Sequence, residues 1–154
     1  MNKFVFSTVA DVVVGPGTSA QVGDMAVAMG ISRVLVVTDA GIVQFGLLDK
    51  ALQSLKSHNI EYSIYADVVA DPPESVVMDA VAKARDFKCD CVIGFGGGSS
   101  MDVAKLLAVL INGKQLLADL YGVDKVTGSR LPLIQIPTTA GTGSEATMVS
   151  IITT

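Results

Sequence analysis

The chain has 154 residues, half of them hydrophobic and 17% charged, with a formal net charge of −4. That length suits one domain with a real core, and an acidic balance without a basic stretch excludes nucleic acid or an anionic membrane surface as its partner. Mean hydropathy is +0.54, rich enough to expect a second domain or subunit over part of the surface, yet no run approaches the ~18 apolar residues of a membrane helix.

The opening "MNKFVFSTVADVVVG" holds one lysine, a broken apolar run and an early Asp11. It reads as mature protein rather than a signal peptide, which makes the chain cytoplasmic by expectation. "DVVVG" (11–15) reads as a short strand, followed by Pro16, Gly17 and the helical spacing of "TSAQVGDMAVAMG" (18–30). "SRVLVVTD" (32–39) is a continuous β-branched run, the mark of a strand covered on both faces. "FGLLDKALQSLKSHN" (45–59) is an amphipathic helix by its three- and four-residue apolar spacing, and "EYSIYADVV" (61–69) a strand. "DPPESVVMDAVAKARDF" (71–87) opens on prolines and Glu74 as a helix start. The strand "CDCVIGF" (89–95), a glycine loop and the helix "SSMDVAKLLAVLIN" (99–112) follow. A looser stretch with Gly113, Gly122 and Gly128 leads to the strand "LPLIQIP" (131–137), the small-residue loop "TTAGTGSEA" (138–146) and an extended "TMVSIITT" (147–154). Met25, Met29, Met78, Met101 and Met148 read as core residues.

Strand and helix alternate with short links. The pattern argues for an α/β fold, an open and mostly parallel sheet with helices on both faces. Ligands of such sheets bind beyond the C-terminal ends of the strands, and three unusual segments map to that edge: "VTDAG", "GFGGGSS" and "PTTAGTGSE".

The glycine loop has four glycines in the five positions 94–98. It is neither a Walker loop nor G-x-G-x-x-G. Gly96, Gly97 and Gly98 leave backbone N–H groups bare, and Ser99 and Ser100 open a helix whose dipole attracts anions. Two readings stand together: a turn with Ser99 as helix cap and Asp102 in the first helical turn, or a cradle for a diphosphate. "GTGSEA" satisfies the relaxed G-x-G-x-x-A spacing, but the β-branched residues after it do not form the helix that a dinucleotide fingerprint needs. Thr138, Thr139, Thr142 and Ser144 still offer hydroxyls there. Asp39, ending "RVLVVTD", suits both hydroxyls of an adenosine ribose or, equally, a cap or turn before Gly41. Cys89 and Cys91, expected on opposite faces, suit neither a disulfide nor a shared metal. His58, the single histidine, reads as an exposed helix end.

Together these residues resemble the iron-containing (group III) alcohol dehydrogenases. Gly96, Gly97, Gly98, Ser99, Asp102, Ala104 and Lys105 match that family's GGGSxxDxAK motif, "IPTTAGTGSEAT" its second signature and "VTDAG" its adenosine strand. Ser99 with Asp102 sets the chain apart from glycerol dehydrogenases, dehydroquinate synthases and maleylacetate reductases; a member of those types, or a non-enzymatic nucleotide-binding module, is the rival reading. The resemblance implies a Rossmann-like domain over 1–154 of the dehydroquinate synthase N-terminal type. It implies NAD, with Gly97, Gly98, Ser99, Ser100 and Asp102 around the diphosphate, Asp39 on the adenosine ribose, and Thr138, Thr139 and Thr142 lining the cleft toward the nicotinamide. Asp71 stands where the family often has Asn, and an added anion beside a diphosphate is unfavourable.

The family also implies Fe²⁺, or sometimes Zn²⁺, held by one aspartate and three histidines of a helical C-terminal domain. One histidine cannot supply that set, so the metal ligands and that domain are expected to lie outside this chain, which alone is expected to be inactive. The whole enzyme, a homo-oligomer by the same implication, would interconvert a small-molecule alcohol and its aldehyde or ketone with NAD.

Overall fold

The structure, a computed structural model, describes residues 8–154; residues 1–7 of the opening segment lie outside them. A 3-10 turn (Thr18–Gln21) leads into α1 (Val22–Ala28), then β1 (Arg33–Val37), α2 (Ala40–Gln44), α3 (Asp49–Ser57), β2 (Glu61–Tyr65), α4 (Glu74–Phe87), β3 (Cys91–Gly96), α5 (Gly98–Leu110), a second 3-10 turn (Leu117–Leu120) and β4 (Leu133–Pro137). The four strands form one sheet in the order β2-β1-β3-β4, and every pairing is parallel. Register is set by apolar pairs such as Leu35 beside Val92 and Ile93 beside Ile134.

Alternation along the strands divides the core in two. Val34, Val36, Ile93 and Phe95 face α1, α2 and α3 with Val22, Ala26, Ile42 and Leu55. Leu35, Val37 and Val92 face α4 and α5 with Val77, Val81, Val103 and Leu107. The sheet therefore has helices on both faces, which is why β1 and β3 are apolar without interruption. In α4 the buried positions Val77, Ala80, Val81 and Ala84 form one helical stripe. Within α1, Gly23 allows close approach to α3: a Cβ there would stand 2.5 Å from the Ser54 carbonyl oxygen.

Several expectations are corrected. Residues 11–15 form no strand; Val12 and Val14 are 71% and 89% exposed, and nothing among the described residues pairs with them. Residues 147–154 are irregular apart from one bridge between Thr153 and Pro73. Helix α2 was not anticipated, being a short turn of chain started by Asp39. Met101 is core, but Met29, Met78 and Met148 are exposed, because Met29 caps α1 and Met78 lies off the α4 stripe. Among the described residues no helix is long and apolar enough to cross a membrane.

Cys89 and Cys91 do sit in opposite core clusters, though not through strand alternation, which places residues two apart on the same face. The strand starts only at Cys91, while the Cys89 N–H still donates to the Ala84 carbonyl at the end of α4, 3.2 Å away. Burial pushes the Cys89 thiol up to about 11 and the Cys91 thiol up to about 12. Since the thiolate is the reactive form, a disulfide-exchange reagent at about pH 8 is expected to label neither cysteine until denaturant is added. Rapid labelling in native buffer would show that this end of β3 opens.

Candidate functional site at the sheet switch point

After β1 the chain crosses to β2 on one side and returns to β3 on the other, so the strand order reverses between β1 and β3. Crevices at such points, beyond the strands' C-terminal ends, are where open α/β sheets bind ligands. The two segments that leave them are those carrying Asp39 and the glycine run.

Asp39 is the N-cap of α2, with Oδ1 accepting from the Ile42 N–H at 3.0 Å. Its other oxygen faces the glycine bend, since a Cβ built on Gly96 would lie 3.5 Å from Oδ2. The cap and the open acceptor are thus both present in one side chain. Thr38 beside it is fully buried, and among the described residues its Oγ1 has no hydrogen-bond partner.

The glycines divide by what demands them. A Cβ on Gly94 would meet Gln135 Oε1 at 2.0 Å, so this glycine serves packing. Gly96 has φ 149° and a Cβ there would stand 2.7 Å from Ser100 Oγ, so it serves the turn. Gly98 lies tight against Thr142, at 3.1 Å to its Cγ2. Gly97 is different: its φ −81° and ψ −171° suit any residue, and its Cβ would make ordinary contacts of 3.4 and 3.6 Å with Thr139. Nothing among the described residues requires glycine there.

Gly97, not Ser99, is the N-cap of α5, and among the described residues no side chain caps the helix. The first N–H to find a backbone acceptor is that of Met101, donating to the Gly97 carbonyl at 3.2 Å. The N–H groups of Gly98, Ser99 and Ser100 precede it, so the positive end of a 13-residue helix is open. Ser100 is buried beneath the bend, 1% exposed.

The loop after β4 folds back over this end. The Thr138 N–H donates to the Gly96 carbonyl at 2.9 Å, and Thr139 and Thr142 then lie against Gly97 and Gly98. Ser144 Oγ donates to Asp102 Oδ1 at 2.5 Å, and the Ile151 N–H to Asp102 Oδ2 at 3.0 Å. Lys105 Nζ is 2.9 Å from Asp102 Oδ1, both side chains being 12% exposed, and it also donates to the carbonyls of Thr147 and Val149. Asp102 and Lys105 thus strap residues 144–151 to α5. The i, i+3 spacing of an acid and a base is the sequence signal for this pair, one that matching the motif alone passes over; its target, forty residues on, has no local signal. Between strap and helix opens a cleft of about 380 Å³, bordered by Asp71, Gly98, Ser99, Asp102, Thr142 and Ser144. Asp39 is not among the residues that line it, and approaches the bend at Gly96 instead.

His58 is the C-cap of α3, at the opposite edge of the sheet from these segments. Its Nδ1 is 2.8 Å from the Ser54 carbonyl and its Nε2 2.9 Å from Asp24. The Ser54 carbonyl, with help from Asp24, raises its pKa above 6.5. Among the described residues no three His, Cys, Asp or Glu side chains are grouped to hold a metal ion.

Comparison with known proteins identifies relatives of this fold. The chain is 42% identical, over 142 residues, to long-chain-alcohol dehydrogenase 1 of Geobacillus thermodenitrificans, an alignment covering 90% of this chain and 36% of that protein. Its fold matches an NADH-dependent butanol dehydrogenase of Thermotoga maritima with TM-score 0.91 and 33% identity, over 99% of this chain and 39% of the other. It also matches a sulfoacetaldehyde reductase of Bifidobacterium kashiwanohense solved with NAD⁺, with TM-score 0.79 and 34% identity, over 90% and 37% of the two chains. The chain thus spans well under half the length of these relatives. The family description "iron-containing alcohol dehydrogenase" matches residues 10–154, and the chain belongs to that family.

Proposed function

We propose that this chain is the NAD-binding part of a cytoplasmic, metal-dependent alcohol dehydrogenase. The observation that carries the reading is Gly97, a bare position that no contact among the described residues demands, at the mouth of an open helix N-terminus. A diphosphate explains that bareness, because its oxygens take the N–H groups of Gly98 and Ser99 and leave no room for a side chain. Asp39 Oδ2 accepts from the adenosine ribose while Oδ1 holds α2 in place, and Thr138, Thr139 and Thr142 line the loop toward the nicotinamide. Asp102 acts from beneath, as the anchor of the cleft wall. NAD, when bound, supplies the hydride acceptor for the conversion of a small alcohol to an aldehyde or ketone. Fe²⁺ or Zn²⁺ does not fit the residues described here, which offer no ligand set; in the whole enzyme, a homo-oligomer in this reading, its ligands come from a C-terminal domain.

The test is cofactor selectivity. The carboxylate of Asp39 disfavours a phosphate on the ribose, so the chain should bind NAD in preference to NADP. Asp39→Asn keeps an oxygen to cap α2 and removes the charge, and is expected to narrow that preference by about 1–3 kcal/mol. Calorimetry with both cofactors measures it, and an unchanged ratio would remove Asp39 from the ribose site.

A further inference from the structure

The charges around the cleft do not balance. Its lining includes two carboxylates, Asp71 and Asp102. Asp102 is neutralised by Lys105 at 2.9 Å and further held by Ser144 and the Ile151 N–H. That ion pair also consumes the lysine, which holds backbone carbonyls besides. Asp71 is exposed, and among the described residues no hydrogen bond or ion pair engages its carboxylate.

Its place is nonetheless fixed. The Asp71 carbonyl accepts from Thr153 Oγ1 at 3.2 Å, and the Pro72 carbonyl from the Thr153 N–H at 2.9 Å. Two residues earlier the Ile151 N–H is bonded to Asp102 on α5. A short path of hydrogen bonds therefore ties the Asp71 turn to the helix whose N-terminus lies across the cleft. Building on the dinucleotide reading, we propose that Asp71 is an affinity-setting residue: its unpaired negative charge opposes the diphosphate that the α5 N-terminus attracts, and holds the cofactor weakly. A unit charge acting on a diphosphate across a water-filled cleft changes binding by about five- to tenfold at low ionic strength.

Asp71→Asn preserves shape and tolerates the left-handed backbone at this position, φ 48°, so its melting temperature without ligand should match that of the unaltered chain. Calorimetry on the 154-residue chain with ADP-ribose and with adenosine then reads the effect. At about 10 mM salt, where the screening length is ~30 Å, Asp71→Asn is expected to bind ADP-ribose five- to tenfold more tightly. The gain should shrink toward unity at about 1 M salt, where screening falls to ~3 Å, and adenosine should bind both proteins alike. Equal or weaker ADP-ribose binding by Asp71→Asn at low salt overturns the proposal, weaker binding meaning that the carboxylate accepts a ribose hydroxyl instead. A gain that persists at high salt also overturns it, since a new amide contact and not lost repulsion would be its source. If neither protein binds ADP-ribose at all, the dinucleotide reading itself fails, an outcome distinct from two equal measurable affinities.

Discussion

Asp102→Ala is expected to destabilise the chain by about 3–5 kcal/mol, the usual cost of removing one partner from a buried ion pair. For a domain of this size that lowers the melting temperature by roughly 6–20 °C. The expectation rests on what the carboxylate holds: Lys105, Ser144 and the Ile151 N–H at 2.9, 2.5 and 3.0 Å. Without it the lysine is left largely buried and uncompensated, and residues 144–151 lose an anchor on each side of their middle. Hydrogen exchange should therefore show lost protection concentrated in that segment and the N-terminal half of α5, with β1 and β2 little changed. Because Lys105 acts through the same strap, the double change Asp102→Ala/Lys105→Met should cost clearly less than the sum of the single changes. Additive effects, or a loss below about 1 kcal/mol, would mean that the strap contributes little to holding the wall.

How much of this was legible beforehand depended on the range of the cause. The parallel sheet was readable because two-sided burial leaves uninterrupted apolar strands, as in "RVLVV" and "CVIGF". The convergence of Asp39, the glycine run and the threonine loop followed from strand direction alone. Local residues leave Asp39 open between a cap or turn and a ribose acceptor; its side chain does cap, at the start of a short helix that the apolar spacing does not reveal. Residues 11–15 look like a strand because Val12, Val13 and Val14 favour extended backbone, but a strand needs a partner and β propensity cannot show one. Ser99 looked like a cap by residue type, yet the turn at Gly96 places Gly97 at the cap position. The roles of Gly94 and Ser144 were the least legible. Each is decided by a contact about forty residues away, with Gln135 and Asp102 respectively, and no local pattern encodes such a distance.

Gly97→Val is expected to leave the fold standing and abolish cofactor binding, and the structure makes that separation measurable. Valine favours the extended backbone that Gly97 already adopts, φ −81° and ψ −171°. Its Cβ meets only Thr139, at 3.4 Å or beyond. A lost glycine cap costs a few tenths of a kcal/mol to about 1, and the stiffer unfolded chain offsets part of it. The melting temperature without ligand should thus move little. Gly96→Val is the contrasting control: φ 149° and a 2.7 Å approach to Ser100 Oγ leave it no unstrained arrangement, so it should fail to fold stably. For the unaltered chain, NAD or ADP-ribose at ~100 times its Kd should add about 2.7 kcal/mol of stability. ADP-ribose should nearly match NAD, since the contacts assigned here lie mainly on its half. Gly97→Val would put a branched side chain at the residue that opens α5, where a diphosphate would have to sit, so neither ligand should raise the melting temperature. Folded Gly97→Val with undiminished affinity would show that the bare turn serves packing alone, and the case for a diphosphate at α5 would fall with it.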